Sequence, residues 1–230
     1  MTEETFRVER IAIERTMRLV ASARLRDPVL AKLVDRDQLY DLAEIEAATS
    51  GRLTTQQRGA ENLAAVELVA GFPHAAFINA AFTYWRPREL NRFNGPGRGA
   101  WYAALAVETC IAEVAYHMVR ELQRVNDFNA TVDCAEMSAS FAGAFTDLRD
   151  MTSPPDCLSP DASIGYPAGN DLADRVRAHG HNGIIYPSVR HDGGTCLVAL
   201  LPSAVQSVAQ GRVLRLAWNG NPEPQWSVVS

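Results

Sequence analysis

An arginine, a tyrosine and a glutamate lie at nearly equal intervals around a turn rich in glycine and proline. Arg92 opens the stretch RFNGPGRGAWY, Tyr102 closes it, and Glu113 follows eleven residues later. An arginine before such a turn can bind a phosphate or carboxylate bidentately, while backbone N–H groups of the turn face the same anion. A tyrosine can stack on a flat base or nicotinamide ring, and a carboxylate can stabilise positive charge on a ribose carbon as a glycosidic bond breaks. On spacing alone, the more common explanation is a surface arginine, a core tyrosine and a solvated glutamate.

A second cluster of polar side chains follows a strand-like segment nearer the C-terminal end. The segment GIIYPSVRHDGG covers residues 183–194 and contains Ser188, His191 and Asp192. These three residues raise the alternative of a Ser-His-Asp hydrolase. Three neighbours in sequence rarely converge in space, however, and the segment has no G-x-S-x-G turn. We therefore interpret Ser188 as a hydroxyl that binds a ligand or orients Glu113, and we expect no inhibition by serine-reactive reagents.

The helix that contains Glu113 is the clearest secondary-structure element in the sequence. Residues 108–125 read ETCIAEVAYHMVRELQRV, with one apolar stripe along the predicted helix. Glu113 and His117 are four residues apart, so they share the face beside that stripe. His117 is either a general base or ligand or, more commonly for a lone helical histidine, a structural residue. Glu108 is a second carboxylate on the same helix, so the choice of Glu113 depends on its spacing from Tyr102.

The remaining elements indicate a single α+β domain. Four segments have the β-branched content and alternation of strands: 17–22, 129–137, 195–201 and 212–218. Helical spacing and end signals predict three more helices: 35–49, 54–70 before Gly71, and 170–180 with Asn170 as the N-cap. Residues 152–169 are rich in proline and are predicted to be a loop. Because the elements show no βαβ rhythm, we expect a small mixed or antiparallel sheet core with flanking helices.

Composition and charge exclude several classes of function. The chain has 230 residues, a net charge of −5 and a single lysine, Lys32. Direct nucleic-acid binding is not expected, because phosphate binding needs concentrated positive charge. No apolar run reaches the ~18 residues of a membrane span, and the N-terminus is too charged for a signal peptide, so we expect a cytoplasmic protein without membrane contact. The four cysteines are widely spaced, so neither a metal site nor a disulfide framework is expected.

Taken together, the two clusters resemble the RES domain family, which is named for its Arg, Glu and Ser. The family pattern has an R-[FW]-N/S turn, a tyrosine after a glycine-rich turn, a helix with A-x-E and, much later, a G-[ILV]-x-Y-P-S-x-R block. The matching segments here are RFN at 92–94, WY at 101–102, IAE at 111–113 and GIIYPSVR at 183–190. Trp101 departs from the pattern, because the family more often has an aliphatic residue or a tyrosine there.

The upstream part is similar to a longer subgroup of this family that includes ParT-like toxins. The matching segments are RLVAS at 18–22, ATSGRL at 48–53, AAFTY at 80–84, AEVAYH at 112–117 and AWNG at 217–220. In that subgroup AAFTY corresponds to an aromatic strand. The resemblance implies a RES domain over residues 15–230, with an N-terminal helical elaboration at about 25–72. Residues 1–14 are interpreted as a charged lead-in with one or two helical turns.

The resemblance implies a toxin of a bacterial type II toxin–antitoxin system, with a core similar to ADP-ribosyltransferases of the diphtheria-toxin type. Such enzymes bind NAD⁺ as a co-substrate, need no metal, and break the bond between nicotinamide and ribose. Carried over by motif, the catalytic residues are Arg92, Tyr102, Glu113 and Ser188. The residues implied to bind NAD⁺ are Arg18, Arg52, Arg92, Tyr102 and Ser188.

The resemblance leaves the acceptor of ADP-ribose open. The leading expectation is a mono-ADP-ribosyltransferase that modifies a cellular protein, with phosphoribosyl pyrophosphate synthetase as the target in one branch of the family. The alternative is an NAD⁺ glycohydrolase or phosphorylase that depletes NAD⁺ with the same site. A non-catalytic binding module that has kept the fold is a third hypothesis. The implied partner is a cognate Xre-like antitoxin that blocks the active site within an oligomeric toxin–antitoxin complex.

Overall fold

The structure is a computed structural model that describes residues 6–21, 63–85 and 90–229. The strands of this part of the chain are β1 (Arg7–Ala21), β2 (Trp101–Ala104), β3 (Asn129–Asp147), β4 (Gly183–Pro187), β5 (Thr195–Ala199), β6 (Val205–Asn219) and β7 (Gln225–Val228). The α-helices of the same described residues are α1 (Ala75–Thr83), α2 (Val107–Val125) and α3 (Ala162–Ala178). Arg52, the helix predicted at 35–49 and most of the helix predicted at 54–70 lie outside the described residues.

The strands form one mixed sheet in the order β1-β2-β5-β4-β3-β6-β7. Neighbouring strands are antiparallel except for β3 and β4, which are parallel. β1 also pairs with β3 from Arg7↔Asp147 to Ala21↔Cys134, so the pairings close a ring of five strands (β1, β2, β5, β4 and β3). A mixed sheet with three flanking helices confirms the prediction of a single α+β domain.

The strands β2, β5 and β4 present two different faces to two different cores, because successive side chains of a strand point to opposite sides. On one face, Trp101 of β2 packs in a core with Ile78 and Phe82 of α1. On the other face, Tyr186 of β4 packs in a core with Leu172 of α3. β5 lies between β2 and β4 and is covered on both faces, which explains its nearly continuous apolar sequence.

Helix α2 covers β3 and β6 with the apolar stripe predicted from the sequence. Ile111 and Leu122 of the helix share a core with Leu216 and Trp218 of β6. The helix ends at Asn126, whose left-handed conformation (φ 53°) closes the last turn. The helix predicted over 108–125 is therefore confirmed, and the strands predicted at 129–137, 195–201 and 212–218 fall in β3, β5 and β6.

The N-terminal strand is longer than the sequence predicted. The strand predicted at 17–22 is part of β1, which already begins at Arg7, so the helical turns predicted within residues 1–14 are wrong for residues 7–14. Ile11 points into the core opposite Gly143 of β3, while Arg10 next to it is exposed. Arg7, Arg10, Glu14 and Arg15 are exposed, and pairing with β3 stabilises the strand.

The segment AAFTY at 80–84, expected to be an aromatic strand, belongs instead to α1. Ile78 and Phe82 are both fully buried, and their four-residue spacing places them on one side of the helix against the sheet. The described part of the helix predicted at 54–70 contains only the 3-10 turn Ala65–Glu67. No helix in the described part of the chain is both long and apolar enough to span a membrane.

Helix α3 begins eight residues earlier than predicted, within the segment 152–169 that was expected to be a loop. Asp161, not Asn170, is the N-cap, and its carboxylate accepts a hydrogen bond from the backbone N–H of Ser163 at 2.8 Å. Asn170 lies inside the helix and donates hydrogen bonds from Nδ2 to the carbonyls of Asn91 and Tyr166. The prolines misled the prediction, because Pro167 is accommodated within the helix.

Candidate functional site

Glu113 and Ser188 are joined directly, although 75 residues separate them in the chain. Ser188 follows the end of β4, and its Oγ donates a 2.7 Å hydrogen bond to Oε1 of Glu113 in the middle of α2. The same Oγ accepts the backbone N–H groups of Arg190 and His191 at 3.2 and 3.1 Å. Because the oxygen accepts these two N–H groups, its own proton is free to point at the carboxylate. The hairpin between β4 and β5 thus fixes the orientation of the Glu113 side chain.

A second contact ties the same hairpin to α2 one turn before Glu113. His191 Nδ1 lies 2.9 Å from Oγ1 of the fully buried Thr109. Asp192 is exposed, and the imidazole of His191 meets Thr109 while only its backbone reaches Ser188. The three residues of the hydrolase alternative therefore do not form a Ser-His-Asp relay.

Arg92 is buried beneath the turn that it opens, with 9% of its surface exposed. Its Nη1 donates to the carbonyl oxygens of Cys157 at 2.6 Å and Ser159 at 3.0 Å, and its guanidinium lies 5.5 Å from the ring centre of Tyr166. No described residue accepts a hydrogen bond from Nε or Nη2 of Arg92. These two donors form the edge of a guanidinium that binds a carboxylate or phosphate bidentately, so Arg92 is held in place with its anion-binding edge available.

Tyr102 connects the turn to the sheet through its hydroxyl. The hydroxyl donates to Oδ1 of Asn94 at 2.9 Å and accepts the backbone N–H of Phe93 at 2.9 Å. Burial raises the pKa of Tyr102 well above its usual value, so the hydroxyl stays protonated. Because the hydroxyl is used within the protein, only the face of the ring is available for a ligand.

The sheet register brings the two sequence clusters together around Tyr186. On β5, Val198 is paired with Tyr102 of β2, and Cys196 is paired with Tyr186 of β4. The two tyrosines therefore lie on the same face of the sheet, two residues apart along β5. Burial raises the pKa of Tyr186 well above its usual value, and the negative charge of Glu113 raises it further. Glu113 is thus within electrostatic reach of the same tyrosine that lies beside Tyr102.

The remaining predicted site residues differ in how closely they approach this centre. Arg18 of β1 lies with its guanidinium 4.8 Å above the Trp101 ring, and its charge lowers the pKa of the nearby Tyr102. Glu108 and His117, the other polar candidates on α2, are exposed. The structure therefore distinguishes the two glutamates of α2, since Glu113 alone of the pair is bonded to Ser188.

One cysteine, Cys196, borders the Glu113 carboxylate, and no sequence pattern indicated this position. The Cys196 thiol lies 3.8 Å from Oε1 of Glu113. Burial raises the pKa of Cys110 to about 12 and raises that of Cys196 as well, so both thiols are protonated and are poor nucleophiles. Within residues 6–21, 63–85 and 90–229, no group of three or more His, Cys, Asp or Glu side chains could hold a metal ion.

The position of Arg92 depends on a glycine of α3. A Cβ added to Gly169 would lie 1.9 Å from the carbonyl oxygen of Arg92. We expect Gly169→Ala to lower the free energy of unfolding by about 1–3 kcal/mol, because the backbone of the turn must move away. Chemical denaturation would measure the change, with Asp171→Ala at an exposed position of the same helix as the control, expected to change stability by less than about 0.5 kcal/mol. An unchanged stability of the Gly169 variant would contradict the close packing of α3 on this turn.

The Ser188 contact predicts a catalytic cost when the hydroxyl is removed. In Ser188→Ala the Glu113 carboxylate loses its 2.7 Å donor and can rotate away from its present position. If the site releases nicotinamide from NAD⁺, as the resemblance implies, kcat for that release should fall between about tenfold and a hundredfold, the scale of effect of misplaced catalytic groups. Ser163→Ala is the control, because that hydroxyl lies exposed at the start of α3. Equal rates for the wild type and Ser188→Ala would show that the hydrogen bond has no catalytic consequence.

Comparison with known proteins places the chain in a family. The family model described as the RES domain matches residues 67–219, more than half of the chain, so the chain belongs to the RES domain family. The resemblance recognised in the sequence is thereby confirmed. No curated protein matches the chain. A matching chain among the solved structures comes from "Crystal structure of the M.tuberculosis MbcT-MbcA toxin-antitoxin complex", with 16% identity, a TM-score of 0.34, and coverage of 53% of this chain and 71% of that chain.

Proposed function

We propose that this RES domain protein is the toxin of a bacterial type II toxin–antitoxin pair, and that it cleaves NAD⁺ and transfers ADP-ribose to a cellular protein. The observation that supports the proposal most directly is the Glu113 carboxylate, held by the Ser188 hydroxyl at 2.7 Å and next to Cys196, the strand partner of Tyr186. Membership in the RES domain family supports the same assignment. NAD⁺ is a co-substrate in this proposal, and no metal takes part.

Each residue has a role in the proposed reaction that its surroundings permit. Arg92 binds a phosphate oxygen pair through Nε and Nη2, because its Nη1 is already used by two carbonyls. Tyr102 offers the face of its ring to the nicotinamide, because its hydroxyl is bonded to Asn94 and Phe93. Arg18 is a further candidate for phosphate binding.

The proposed chemical step is the cleavage of the bond between the ribose carbon and the nicotinamide nitrogen. The electron pair of that bond leaves with the ring, so nicotinamide departs neutral and positive charge develops on the ribose. The Glu113 carboxylate stabilises this charge. A nucleophilic group of the acceptor then bonds to the ribose carbon and loses its proton.

Incubation of the purified protein with NAD⁺ labelled in its adenylate part and with cell extract tests which acceptor is used. Label on a discrete protein band is the expected result, and phosphoribosyl pyrophosphate synthetase is the first protein to examine. Free ADP-ribose or its phosphorylated form, without labelled protein, would show a glycohydrolase or phosphorylase instead. Intact NAD⁺ under all conditions would overturn the proposal that the site cleaves this molecule.

The same proposal includes an antitoxin partner with an Xre-like DNA-binding region, in an oligomeric complex in the cytoplasm. The net charge of −5 is consistent with a toxin that leaves DNA contact to its partner. We propose that the antitoxin covers the site around Arg92 and Glu113. Nicotinamide release by the purified complex should therefore be far slower than by the toxin alone, and equal rates would contradict a block at the active site.

A further inference from the structure

The hydroxyl of Tyr186 makes no hydrogen bond with any described residue, although 95% of the Tyr186 surface is buried. The ring is fixed by the edge of the fully buried Phe93 ring, at 4.9 Å between centroids and an angle of 66°. The hydroxyl oxygen is not among the buried polar atoms sealed from solvent without a partner, so it reaches an accessible surface. The ring is thus held in the core while the hydroxyl oxygen is accessible.

A buried tyrosine normally uses its hydroxyl within the protein. Tyr102, which is half-buried on the same face of the sheet, uses its hydroxyl in this way, with two hydrogen bonds to Asn94 and Phe93. Phenylalanine at position 186 would fill the same space without leaving a polar group unpaired. The Tyr186 hydroxyl oxygen therefore makes no hydrogen bond that stabilises the described fold. This points to a ligand as its hydrogen-bond partner.

The charges around Tyr186 define which ligand atom the hydroxyl meets. Burial raises the pKa of Tyr186, and the charge of Glu113 raises it further, so the hydroxyl is protonated and can donate. The charge of Arg92 acts on the same group in the opposite direction. The geometry agrees: Tyr186 is paired with Cys196, whose thiol lies 3.8 Å from Oε1 of Glu113, and its ring packs against Phe93, the chain neighbour of Arg92. Tyr186 therefore lies between the residue proposed to bind phosphate and the residue proposed to face the bond that breaks.

We propose that the Tyr186 hydroxyl donates a hydrogen bond to an oxygen of the ribose that links the nicotinamide to its phosphate. In a nicotinamide ribosyl phosphate this sugar separates the group bound by Arg92 from the bond faced by Glu113. The assignment rests on the proposed NAD⁺ site and adds a ligand-binding residue to it. Tyr186 holds the sugar, whereas Tyr102 offers its ring to the base.

The test compares Tyr186→Phe with Tyr102→Phe, each in a Glu113→Gln background so that NAD⁺ is not consumed during the measurement. Calorimetric titration with NAD⁺ should give binding about five- to tenfold weaker for the Tyr186 variant, the scale of one lost hydrogen bond. Binding of free nicotinamide, which has no ribose, should be the same with and without the Tyr186 hydroxyl. The melting temperature should not fall in Tyr186→Phe, whereas it should fall in Tyr102→Phe because two internal hydrogen bonds are lost.

Two results would overturn the inference alone: NAD⁺ binding to Tyr186→Phe as tight as to its parent, or a melting temperature that falls as far as in Tyr102→Phe. The second result would show that the hydroxyl is used within the fold. Failure of both the wild type and Glu113→Gln to bind NAD⁺ would overturn the proposed function itself, and the ribose contact with it.

Discussion

Glu113→Gln is expected to lower the rate of nicotinamide release by about a thousandfold and to abolish growth arrest on expression, because the amide cannot balance positive charge on the ribose. The substitution is close to isosteric. The glutamine oxygen can still accept the hydrogen bond that Ser188 Oγ donates to Glu113 at 2.7 Å. The folded structure should therefore persist, and the loss should appear in kcat more than in KM.

The matched control is Glu108→Gln on the same helix. Glu108 is exposed five residues before Glu113 and makes no hydrogen bond or ion pair with a described residue of the β4–β5 hairpin, so the variant should keep the activity and toxicity of the wild type. Loss of activity in Glu108→Gln with retention in Glu113→Gln would reverse the assignment of the two carboxylates. Equal toxicity of the wild type and both variants would favour the non-catalytic binding module over an enzyme.

The parts of the site that were predictable from the sequence depend on local spacing. The helix over 108–125 follows from its apolar stripe, which also separates Glu113 from the residues that pack on β6. The Glu113–Ser188 contact was an interpretation of two distant motifs, since nothing in either segment alone specifies which strand lies next to α2. It is the sheet order, with β5 between β2 and β4, that places Ser188 next to this helix.

The parts that were mispredicted depend on long-range packing that local signals do not contain. The charged residues 7–14 form a strand because β3 provides a partner at every position from Arg7 to Ile13. The segment before Asn170 is helical despite Pro167, because Asp161 caps the helix and Gly169 allows it to pack against the backbone of Arg92. The local sequence propensities disfavour both elements, and tertiary contacts stabilise them instead.

Tyr186 was not predicted as a site residue for a different reason. Its position in the Y-P-S segment is visible in the sequence, but a tyrosine in an apolar strand is expected to be a core residue. The ring does belong to the core, with 5% of the residue exposed. Only the hydrogen-bond pattern separates it from Tyr102, and that pattern depends on Asn94 and on the turn that follows Arg92.

Arg92→Lys is expected to reduce NAD⁺ affinity by about a hundredfold and also to destabilise the fold, although the positive charge is kept. A lysine ammonium cannot donate to the carbonyls of Cys157 and Ser159 and also present a planar pair of donors to a phosphate. The loss of one or both carbonyl contacts should lower the free energy of unfolding by about 1–3 kcal/mol. Calorimetric titration with NAD⁺, at a temperature well below the melting transition of the variant, separates the two effects.

Arg10→Lys is the matched control, because Arg10 is an exposed residue of β1 and the same replacement there should change neither stability nor affinity. The decisive comparison is between affinity and stability in the folded Arg92→Lys protein. If the variant melts at a lower temperature but binds NAD⁺ as the wild type does, then Nε and Nη2 of Arg92 do not bind the phosphate. Arg92 would then be a structural residue that ties the turn to the segment before α3, and the anion site would have to be sought at Arg18.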